Sequence, residues 1–372
     1  MAYNAMDAKK LNRVDLFRAL LKKGRASRAE LSVLLGVSLP TVARLVRELI
    51  DLGLVEGAGE LPSTGGRKAA AVAPLPDAMS AVGVDVTRNH LSMAAVNLKG
   101  ELKVHERPVL KYEPTEAWRE EAGVAVRGFM ERTGVSPEGC AGVGISLPGI
   151  ISEDGTELLR SHVLDVKRPS RISLPLDSRL TQRLFNDASA GCLTELWGAD
   201  DPESFFYLSL SNSVGGALVL GGRVFPGDNQ RAGEAGHVCL RPGGARCYCG
   251  KEGHFDPYGS ALNLAYPAGG RLEDFFAKVE GGDRAFAKEL SAYLSGLALM
   301  VVNLRMLLDC AIVLGGYVGG FLGPYLPRLR TKVTALDSFQ NNADYLRLSR
   351  RKVEGAAVGA ALHFIEEFIR GV

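Results

Sequence analysis

The sequence predicts an α/β protein built from two related lobes, preceded by a small helical domain. The first observation is a strand pattern that occurs twice, with further helices and another strand after each copy. The second is that the first seventy residues show helical periodicity and a different charge from the rest of the chain. The strands of the repeat are residues 81–86, 91–98 and a third strand through Val104 in the first copy, and 205–210, 215–220 and 224–225 in the second.

The N-terminal domain is predicted to contain three helices. Apolar residues recur with a period near 3.6 in residues 11–23, which predicts the first helix. Ser27 and Glu30 have the spacing of a capping box that begins the second helix, and Gly36 ends it. Ser38 caps the third helix after a short turn, and this is the spacing of a helix-turn-helix.

A β-hairpin is predicted to follow the third helix. Its first strand begins at Leu54, its tip spans residues 57–66, and Arg67 and Lys68 lead into an Ala/Val-rich return strand. A hairpin in this position is a wing, and a glycine pair that presents an arginine is suited to a DNA minor groove. We therefore expect a winged helix-turn-helix domain with its linker in residues 1–76, the linker lying in the Ala/Pro-rich stretch 69–79.

Positive charge is concentrated in this N-terminal domain. The whole chain has a formal net charge of +2, whereas residues 1–70 contain twelve Lys and Arg against seven Asp and Glu, a balance of +5. A basic domain on a mildly acidic body predicts that only this domain contacts a polyanion. The alternative is a helical dimerisation module whose basic residues are merely solvated. The side chains that we expect to contact DNA are Ser38, Thr41, Arg44, Arg47, Arg67 and Lys68.

Four potential metal ligands lie close together in the loop-rich segment 231–256: His237, Cys247, Cys249 and His254. A Cys-x-Cys pair shortly before a histidine allows thiolates and an imidazole to converge from one tight loop, and zinc prefers these ligands. The alternative is two buried thiols beside surface histidines. We predict a structural zinc ion bound by the four side chains.

The same segment resembles the signature of the ROK family of repressors, open reading frames and sugar kinases. The resemblance lies in GEAGH at 233–237 and Cys-x-Cys-Gly-x-x-Gly at 247–253. In that family the usual ligands are one histidine and three cysteines, and the loop ends in a glutamate. Here His254 stands in place of the third cysteine and Asp256 in place of the glutamate.

The resemblance implies the two-lobed, actin-like ATPase fold of sugar kinases, with a sugar pocket between the lobes. The first lobe is expected in residues 77–190 and the second in 191–352, with the C-terminal helix 353–370 packing back on the first. Asp187 matches the family position that deprotonates the attacking sugar hydroxyl. The sugar contacts that the resemblance implies are Gly149, Asn186, Asp187, Glu234, His237 and Asp256.

The turns that hold nucleotide phosphates in the family kinases are altered here. Those kinases have Asp-x-Gly-Gly-Thr-Lys after the first strand, whereas Asp85 is followed by the sequence VTRNH. Side chains then occupy the space in which backbone N–H groups approach phosphate oxygens. The turn at 211–216 also loses the family's Gly-Thr-Gly character. We therefore predict no enzymatic activity, with Asp187 as the degenerate base position.

Together these observations predict a sequence-specific DNA-binding regulator, a repressor of sugar metabolism or transport genes. Its expected partners are a palindromic double-stranded operator, a second copy of the chain and a sugar or sugar phosphate. The bases expected to meet a phosphate are Lys167, Arg168 and Arg171. One alternative is an active ATP-dependent sugar kinase with an added DNA-binding domain. Another is a DNA-binding dimer whose body binds no ligand.

Composition places the protein in the cytoplasm. We expect no apolar run that reaches the length needed to cross a bilayer, and the N-terminus is polar and basic rather than a signal peptide. Cysteines other than those of the loop are scattered, as in proteins of a reducing compartment. We expect no membrane partner.

Overall fold

A computed structural model of the protein describes residues 5–61, 69–199 and 204–372. Its N-terminal domain contains the three predicted helices followed by the wing. The first helix begins at Ala5, six residues before the predicted start at residue 11. The elements of this domain are α1 (Ala5–Lys23), β1 (Ala26–Ser27), α2 (Arg28–Leu35), α3 (Leu39–Asp51), β2 (Val55–Glu60) and β3 (Ala70–Pro74).

The predicted caps of the helix-turn-helix are confirmed. Ser27 Oγ accepts the backbone N–H of Glu30 at 3.2 Å, and Glu30 Oε2 accepts the backbone N–H of Ser27 at 2.7 Å. Gly36 ends α2 with a φ of 64°, in the left-handed region that favours glycine. Ser38 Oγ accepts the backbone N–H of Thr41 at 3.4 Å and begins α3. Local side-chain chemistry therefore fixes the angle between α2 and α3.

The wing is a three-stranded sheet in which β3 lies between β1 and β2 and is antiparallel to both. β3 is the predicted Ala/Val-rich return strand, so residues 70–74 of the stretch 69–79 belong to the wing and not to the expected linker. Ala71 and Val72 of β3 are buried, because small apolar side chains fill the core between the wing and the helices. Only residues 75–79, which include the 3-10 turn Pro76–Ala78, connect the domain to the first lobe.

The first lobe is built on a five-stranded sheet. Its elements are β4 (Ser80–Val86), β5 (Leu91–Asn97), β6 (Leu102–Glu106), α4 (Glu116–Thr133), β7 (Cys140–Leu147), β8 (Ile150–Ile151), β9 (Glu157–Arg160), β10 (Ser170–Arg171), β11 (Gln182–Asn186) and α5 (Asp187–Leu196). The sheet order is β11-β7-β4-β5-β6, in which β4 to β6 form an antiparallel meander and β7 and β11 run parallel to β4. The carboxyl ends of β4, β7 and β11 therefore meet at one edge, where ligands of α/β folds bind.

The second lobe repeats this connectivity. Its elements are β12 (Phe205–Leu210), β13 (Val214–Leu220), β14 (Arg223–Phe225), α6 (Asp256–Gly259), α7 (Ala261–Ala265), α8 (Leu272–Glu280), α9 (Arg284–Leu308), β15 (Ala311–Gly315), α10 (Gly316–Gly319), α11 (Leu326–Thr334) and β16 (Leu346–Leu348). The meander β12-β13-β14 is extended by β15 and β16, which run parallel to β12. The predicted division of the lobes at residues 190 and 191 falls inside α5, which continues across it.

The last helix, α12 (Gly355–Gly371), packs against β4, β7 and α5 of the first lobe, as the sequence predicts. A Cβ on Gly83 of β4 would lie 1.7 Å from the carbonyl oxygen of Ala357, and a Cβ on Gly359 would lie 1.7 Å from that of Ala190 in α5. The backbones approach so closely that only glycine fits at these two positions. These glycines set how deeply α12 sits on the lobe.

The same helix supports the N-terminal domain. Buried residues of α1, α3 and the wing form one continuous apolar cluster with those of β4, β5 and α12. Arg13 Nε donates to the Val372 carbonyl oxygen at 2.7 Å, and Arg18 Nη2 lies 2.6 Å from Glu366 Oε1. The N-terminal domain is thus docked on the body and is not joined to it by the connection alone.

By length and composition, one helix in the described part of the chain, α9, is apolar enough to cross a membrane, which corrects our expectation that no stretch is. Ten residues of α9 are buried in the core of the second lobe. Its apolar composition is accounted for by this packing, since a helix buried on most sides carries few polar residues.

Candidate functional site

The exposed face of α3 carries the predicted DNA contacts. Ser38, Arg44 and Arg47 are exposed and Thr41 is half-buried, whereas the opposite face of the helix is buried in the domain core. Arg44 Nη1 donates to Glu48 Oε1 at 2.7 Å, one turn further along the helix. The ion pair orients the guanidinium while leaving it at the surface, where phosphates and base edges are accessible.

The wing carries the other two predicted DNA contacts and is held in place by an arginine before α2. Arg67 and Lys68 lie outside the described residues, so their contact with DNA stays a prediction. Arg25, which we did not single out from the sequence, donates from Nη2 to the carbonyl oxygen of Glu60 at 2.8 Å and also to that of Ala58. These bonds attach β2 to the turn after α1 and fix the direction in which the wing leaves the domain.

The four predicted metal ligands come together in the second lobe. The donor atoms of His237, Cys247, Cys249 and His254 all lie within 4.8 Å of one another. Their loop is closed on itself, since the Cys247 N–H donates to the Lys251 carbonyl oxygen at 2.8 Å and the Gly250 N–H to that of Cys247 at 2.9 Å. The 3-10 turn Ala235–His237 brings the first histidine against this loop from the other side.

The donor separations fit a tetrahedral zinc site. Zinc bonds near 2.0–2.1 Å to nitrogen and 2.3 Å to sulfur imply tetrahedral edges of about 3.3 Å between two nitrogens and about 3.5 Å between nitrogen and sulfur. Nδ1 of His237 lies 3.4 Å from Nδ1 of His254, which lies 3.3 Å from Cys249 Sγ. Cys247 Sγ lies 3.9 Å from Nδ1 of His237. Two thiols and two imidazoles therefore fit zinc in both chemistry and spacing.

His237 connects this cluster to the cleft between the lobes. Its Nδ1 faces the other ligands, while its Nε2 lies 3.3 Å from Tyr248 Oη and 3.7 Å from Glu234 Oε2. A second ring nitrogen held by a carboxylate fixes the tautomer of a metal-binding histidine. A metal here would therefore position the loop that forms one wall of the cleft.

The cleft has a volume of about 250 Å³ and contains five of the six sugar contacts that the resemblance implies: Gly149, Asn186, Asp187, Glu234 and His237. The sixth, Asp256, does not line it. Asp256 is buried, and its Oδ2 accepts the backbone N–H of Val214 at 2.7 Å. The aspartate is one methylene shorter than the glutamate of the family, and its carboxylate supports β13 instead of reaching the cleft.

Asn186 and Asp187 lie at the junction of β11 and α5. Asn186 caps the helix by accepting the Ser189 N–H at 3.0 Å, and its Nδ2 donates to the Gly149 carbonyl oxygen at 3.1 Å. Asp187 Oδ1 accepts the backbone N–H of Ala188 at 2.9 Å. Withdrawal from solvent and then the charge of Asp85 raise the pKa of Asp187 to about 7. This carboxyl group is an acceptor placed for a ligand hydroxyl.

Four polar side chains that the sequence analysis missed also line the cleft: Arg160, His162, Arg231 and Tyr248. Arg231 stands two residues before GEAGH, and Tyr248 lies between the two cysteines, so proximity to the motif was the available signal. Arg160 and His162 offered no signal, because the strand β9 and the chain after it carry no motif. Lys167, Arg168 and Arg171 are exposed and do not line this cleft.

The turn after β4, where the family kinases are expected to hold nucleotide phosphates, is closed by its own hydrogen bonds. After β4, the Thr87 N–H donates to the His90 carbonyl oxygen at 3.0 Å, and the His90 N–H donates to Thr87 Oγ1 at 3.1 Å. The Arg107 guanidinium lies 5.2 Å from the ring centre of Tyr317, whose hydroxyl donates to Glu273 at 2.5 Å. Arg88, Arg107 and Tyr317 line the space that remains there, together with Asp85 and Asp187. The backbone N–H groups of Thr87 and His90 are therefore used within the turn and do not point at a ligand phosphate.

Comparison with known proteins agrees with both domains. The sequence profile of the ROK family matches residues 81–367, and that of winged helix-turn-helix DNA-binding domains matches residues 11–56. The chain is 27% identical over 260 residues to the xylose repressor of Bacillus subtilis (strain 168), covering 69% of the chain and 67% of the repressor. It is 25% identical over 250 residues to the DNA-binding transcriptional dual regulator NagC of Escherichia coli (strain K12), covering 66% and 61%. The alignments thus span about two thirds of these curated relatives.

Solved structures show the same architecture. A ROK family transcriptional regulator, a homologue of the E. coli MLC protein, superimposes with a TM-score of 0.74 at 20% identity, covering 98% of this chain and 97% of that one. A ROK family glucokinase from Streptomyces griseus, with glucose and AMPPNP, superimposes with a TM-score of 0.61 at 19% identity, covering 76% and 98%. The regulator matches the N-terminal domain as well as the body. The chain is a member of the ROK family, with a winged helix-turn-helix domain in front of a sugar-kinase-like body.

Proposed function

We propose that the protein is a transcriptional repressor whose affinity for its operator is set by a carbohydrate bound between the lobes. The observation that carries the proposal is the pairing of an exposed, capped recognition helix with a cleft that keeps five of the six implied sugar contacts. Two relatives that align with about two thirds of the chain are named xylose repressor and N-acetylglucosamine repressor.

We further propose that the protein binds sugar without phosphorylating it. The turn after β4 uses its own N–H groups internally, and Arg107 and Tyr317 occupy the neighbouring space. Preorganised donors stabilise the charge of a phosphoryl transition state, and removing one donor costs about 10²–10³ in rate. An assay of ADP release across a panel of hexoses tests this part. Turnover above one per second would support the kinase alternative instead, since kinases typically reach about 1–100 s⁻¹.

The proposed zinc ion is structural and fixes Glu234 and His237 against the cleft. Sugar binding would then favour closure of the lobes, and α12 would transmit this change to the N-terminal domain that rests on it. The sugar can shift this equilibrium only by its differential affinity for the two states. Two such domains in a homodimer would bind the two halves of a palindromic operator in the cytoplasm.

DNA binding can be tested by in vitro selection with the purified full chain, followed by fluorescence anisotropy on the selected duplex. We expect Arg44→Ala and Arg47→Ala to weaken binding and lower the salt slope by about one for each lost phosphate contact. Arg168→Ala removes an exposed arginine of the body and is the matched control. Equal losses for all three variants would place DNA elsewhere than on α3.

A further inference from the structure

Two arginines reach the same cleft from opposite lobes. Arg160 lies at the end of β9 in the first lobe, and Arg231 precedes the glycine-rich turn of the second. Both residues are exposed, and neither side chain makes a hydrogen bond or an ion pair with any residue in the described part of the chain. Exposed arginines are ordinarily only solvated, but these two converge on one concave site.

Arg160 is presented by an anchored backbone. Its strand pairs with β8 so that Arg160 faces Ile150. A Cβ on Gly149 would lie 2.5 Å from the Arg160 carbonyl oxygen, so the turn that carries one implied sugar contact packs directly on this residue. The next residue, Ser161, exchanges both backbone hydrogen bonds with Val166, at 2.9 and 2.8 Å. The guanidinium therefore extends from a fixed point on the rim of the cleft.

Arg231 is held in a comparable way. Gln230 before it has a φ of 58°, in the left-handed region that a residue with a side chain rarely adopts. The Ala232 N–H after it donates to the Pro226 carbonyl oxygen at 3.1 Å. Gln230 lines a neighbouring cavity and Arg231 lines the sugar cleft, so this turn sends consecutive side chains to different sites. Strained backbone of this kind is found where a side chain must be directed.

The charges within the cleft favour an anion. The groups that accompany the two guanidiniums there are the carboxyl groups of Asp187 and Glu234 and the imidazoles of His162 and His237. Burial lowers the pKa of His162, and so does the charge of Arg160, which shows that Arg160 lies close enough to act on this ring. The charge of Arg231 lowers the pKa of Glu234, against the larger effect of burial, which raises it, so Arg231 also lies close to its neighbour. Burial raises the pKa of Asp187 to about 7, so near neutral pH the two guanidiniums outweigh the carboxyl groups of Asp187 and Glu234.

Resting on the proposed function, we infer that the effector is an anionic sugar, whose phosphate or carboxylate group is bound jointly by Arg160 and Arg231 across the cleft. Guanidinium forks bind phosphate and carboxylate oxygens in the same geometry. Without a ligand the two like charges oppose closure of the lobes, and a shared anion reverses this effect. The anionic group is thereby the part of the ligand that couples binding to lobe closure.

The test uses the zinc-loaded full chain and a panel of hexoses and pentoses, their phosphates, the matching uronates and inorganic phosphate alone. Binding is measured by thermal shift and by the change in affinity for the selected operator. We expect at least one phosphate or uronate to bind about tenfold or more tightly than its neutral parent, since a charged hydrogen bond contributes about that factor. If sugar phosphates but not uronates bind in this way, the two arginines recognise a phosphate, and the reverse result shows that they recognise a carboxylate.

Arg160→Gln and Arg231→Gln keep a polar side chain and remove the charge, and each should abolish the preference for the anionic sugar. Arg328→Gln, at an exposed arginine of α11 outside the cleft, should leave this preference within about twofold. Neutral sugars binding as well as anionic ones, or unchanged preference in both cleft variants, would overturn this inference but leave the proposed sensor intact. An equal response to inorganic phosphate alone would reveal an unspecific anion site and also overturn it. If no sugar of either kind binds, the proposed sensing function itself fails.

Discussion

Replacing Asp85 with asparagine should stabilise the protein much more at alkaline pH than at acid pH. Asp85 is buried at the carboxyl end of β4, where its Oδ1 accepts a hydrogen bond from Ser146 Oγ at 2.5 Å. Burial raises the pKa of Asp85 to about 6, although Ser146 and Arg107 act in the opposite direction. In the kinases of the family, the corresponding acid heads a phosphate-binding turn, whereas here it lines a small pocket together with Arg107.

The direction of the expected stability change follows from how the folded and unfolded states bind protons. Between pH 4 and pH 6 the folded state keeps the proton of Asp85 while the unfolded chain has lost it, so stability falls as the pH rises through this range. A pKa difference of one corresponds to about 1.36 kcal/mol, and the rise from 3.8 to about 6 therefore sets a loss of roughly 3 kcal/mol above pH 7. Asparagine has nearly the same shape, carries no charge and can still accept the Ser146 hydrogen bond.

The assay is thermal unfolding of the wild type and the Asp85→Asn variant at pH 4.5 and at pH 8. At pH 8 the variant should melt roughly 6–12 °C higher, because 1 kcal/mol corresponds to about 2–4 °C for lobes of this size. At pH 4.5 the unfolded chain has already lost most of the Asp85 proton, so about 1 kcal/mol of the loss, or roughly 2–4 °C of the difference, should be present. Asp154→Asn, at an exposed carboxylate, is the control and should show no gain at pH 8. A variant that is less stable at pH 8, or shifted equally at both pH values, would refute the assignment of a buried, protonated Asp85.

Three further predictions concern the metal, the last helix and the domain contact. Cys249→Ser should lower the melting temperature and also the zinc content, which atomic emission measures. Cys310→Ser, outside the cluster, should keep one zinc per chain. An unchanged zinc content in Cys249→Ser would contradict the proposed ligand set. Gly359→Ala should destabilise the protein by about 1–3 kcal/mol in urea unfolding, because its Cβ would meet the Ala190 carbonyl oxygen at 1.7 Å. Gly296→Ala, where nothing lies within 4 Å, should be neutral or stabilising, and equal losses would show that packing is not the cause. Arg18→Glu places like charges beside Glu366 and should increase proteolytic cleavage in the connection 75–79 without unfolding the body, whereas Arg179→Glu should not. Identical digestion patterns would show that this ion pair does not hold the domain.

The parts of the fold with strong local signals were predictable from the sequence. The capping box, the glycine stop and the short turn defined the helix-turn-helix because each acts within a few residues. The strand repeat gave the two related sheets, because alternation and turn residues are also local. The Cys-x-Cys-Gly segment gave the cluster of four donors, since three of them lie in one closed loop.

The remaining features depend on contacts between distant segments. Nothing near Asp256 in the sequence shows that its carboxylate bonds to Val214, more than forty residues earlier in the chain. Arg160 enters the cleft only because β9 pairs with β8 beside the Gly149 turn. The predicted linker 69–79 overlaps the return strand 70–74 because Ala and Pro are poor strand formers in isolation, so the sequence did not show where the strand ends; its pairing with both β1 and β2 outweighs that preference.

The position of α12 has a consequence for biosynthesis. Among the described elements this helix is translated last, yet it completes the apolar core on which the first three helices rest. A nascent or prematurely terminated chain would lack that surface, and its N-terminal domain would be exposed without its support. Docking of the N-terminal domain is thereby coupled to synthesis of α12, so that chains truncated before residue 355 should carry a less stable N-terminal domain with its apolar face uncovered.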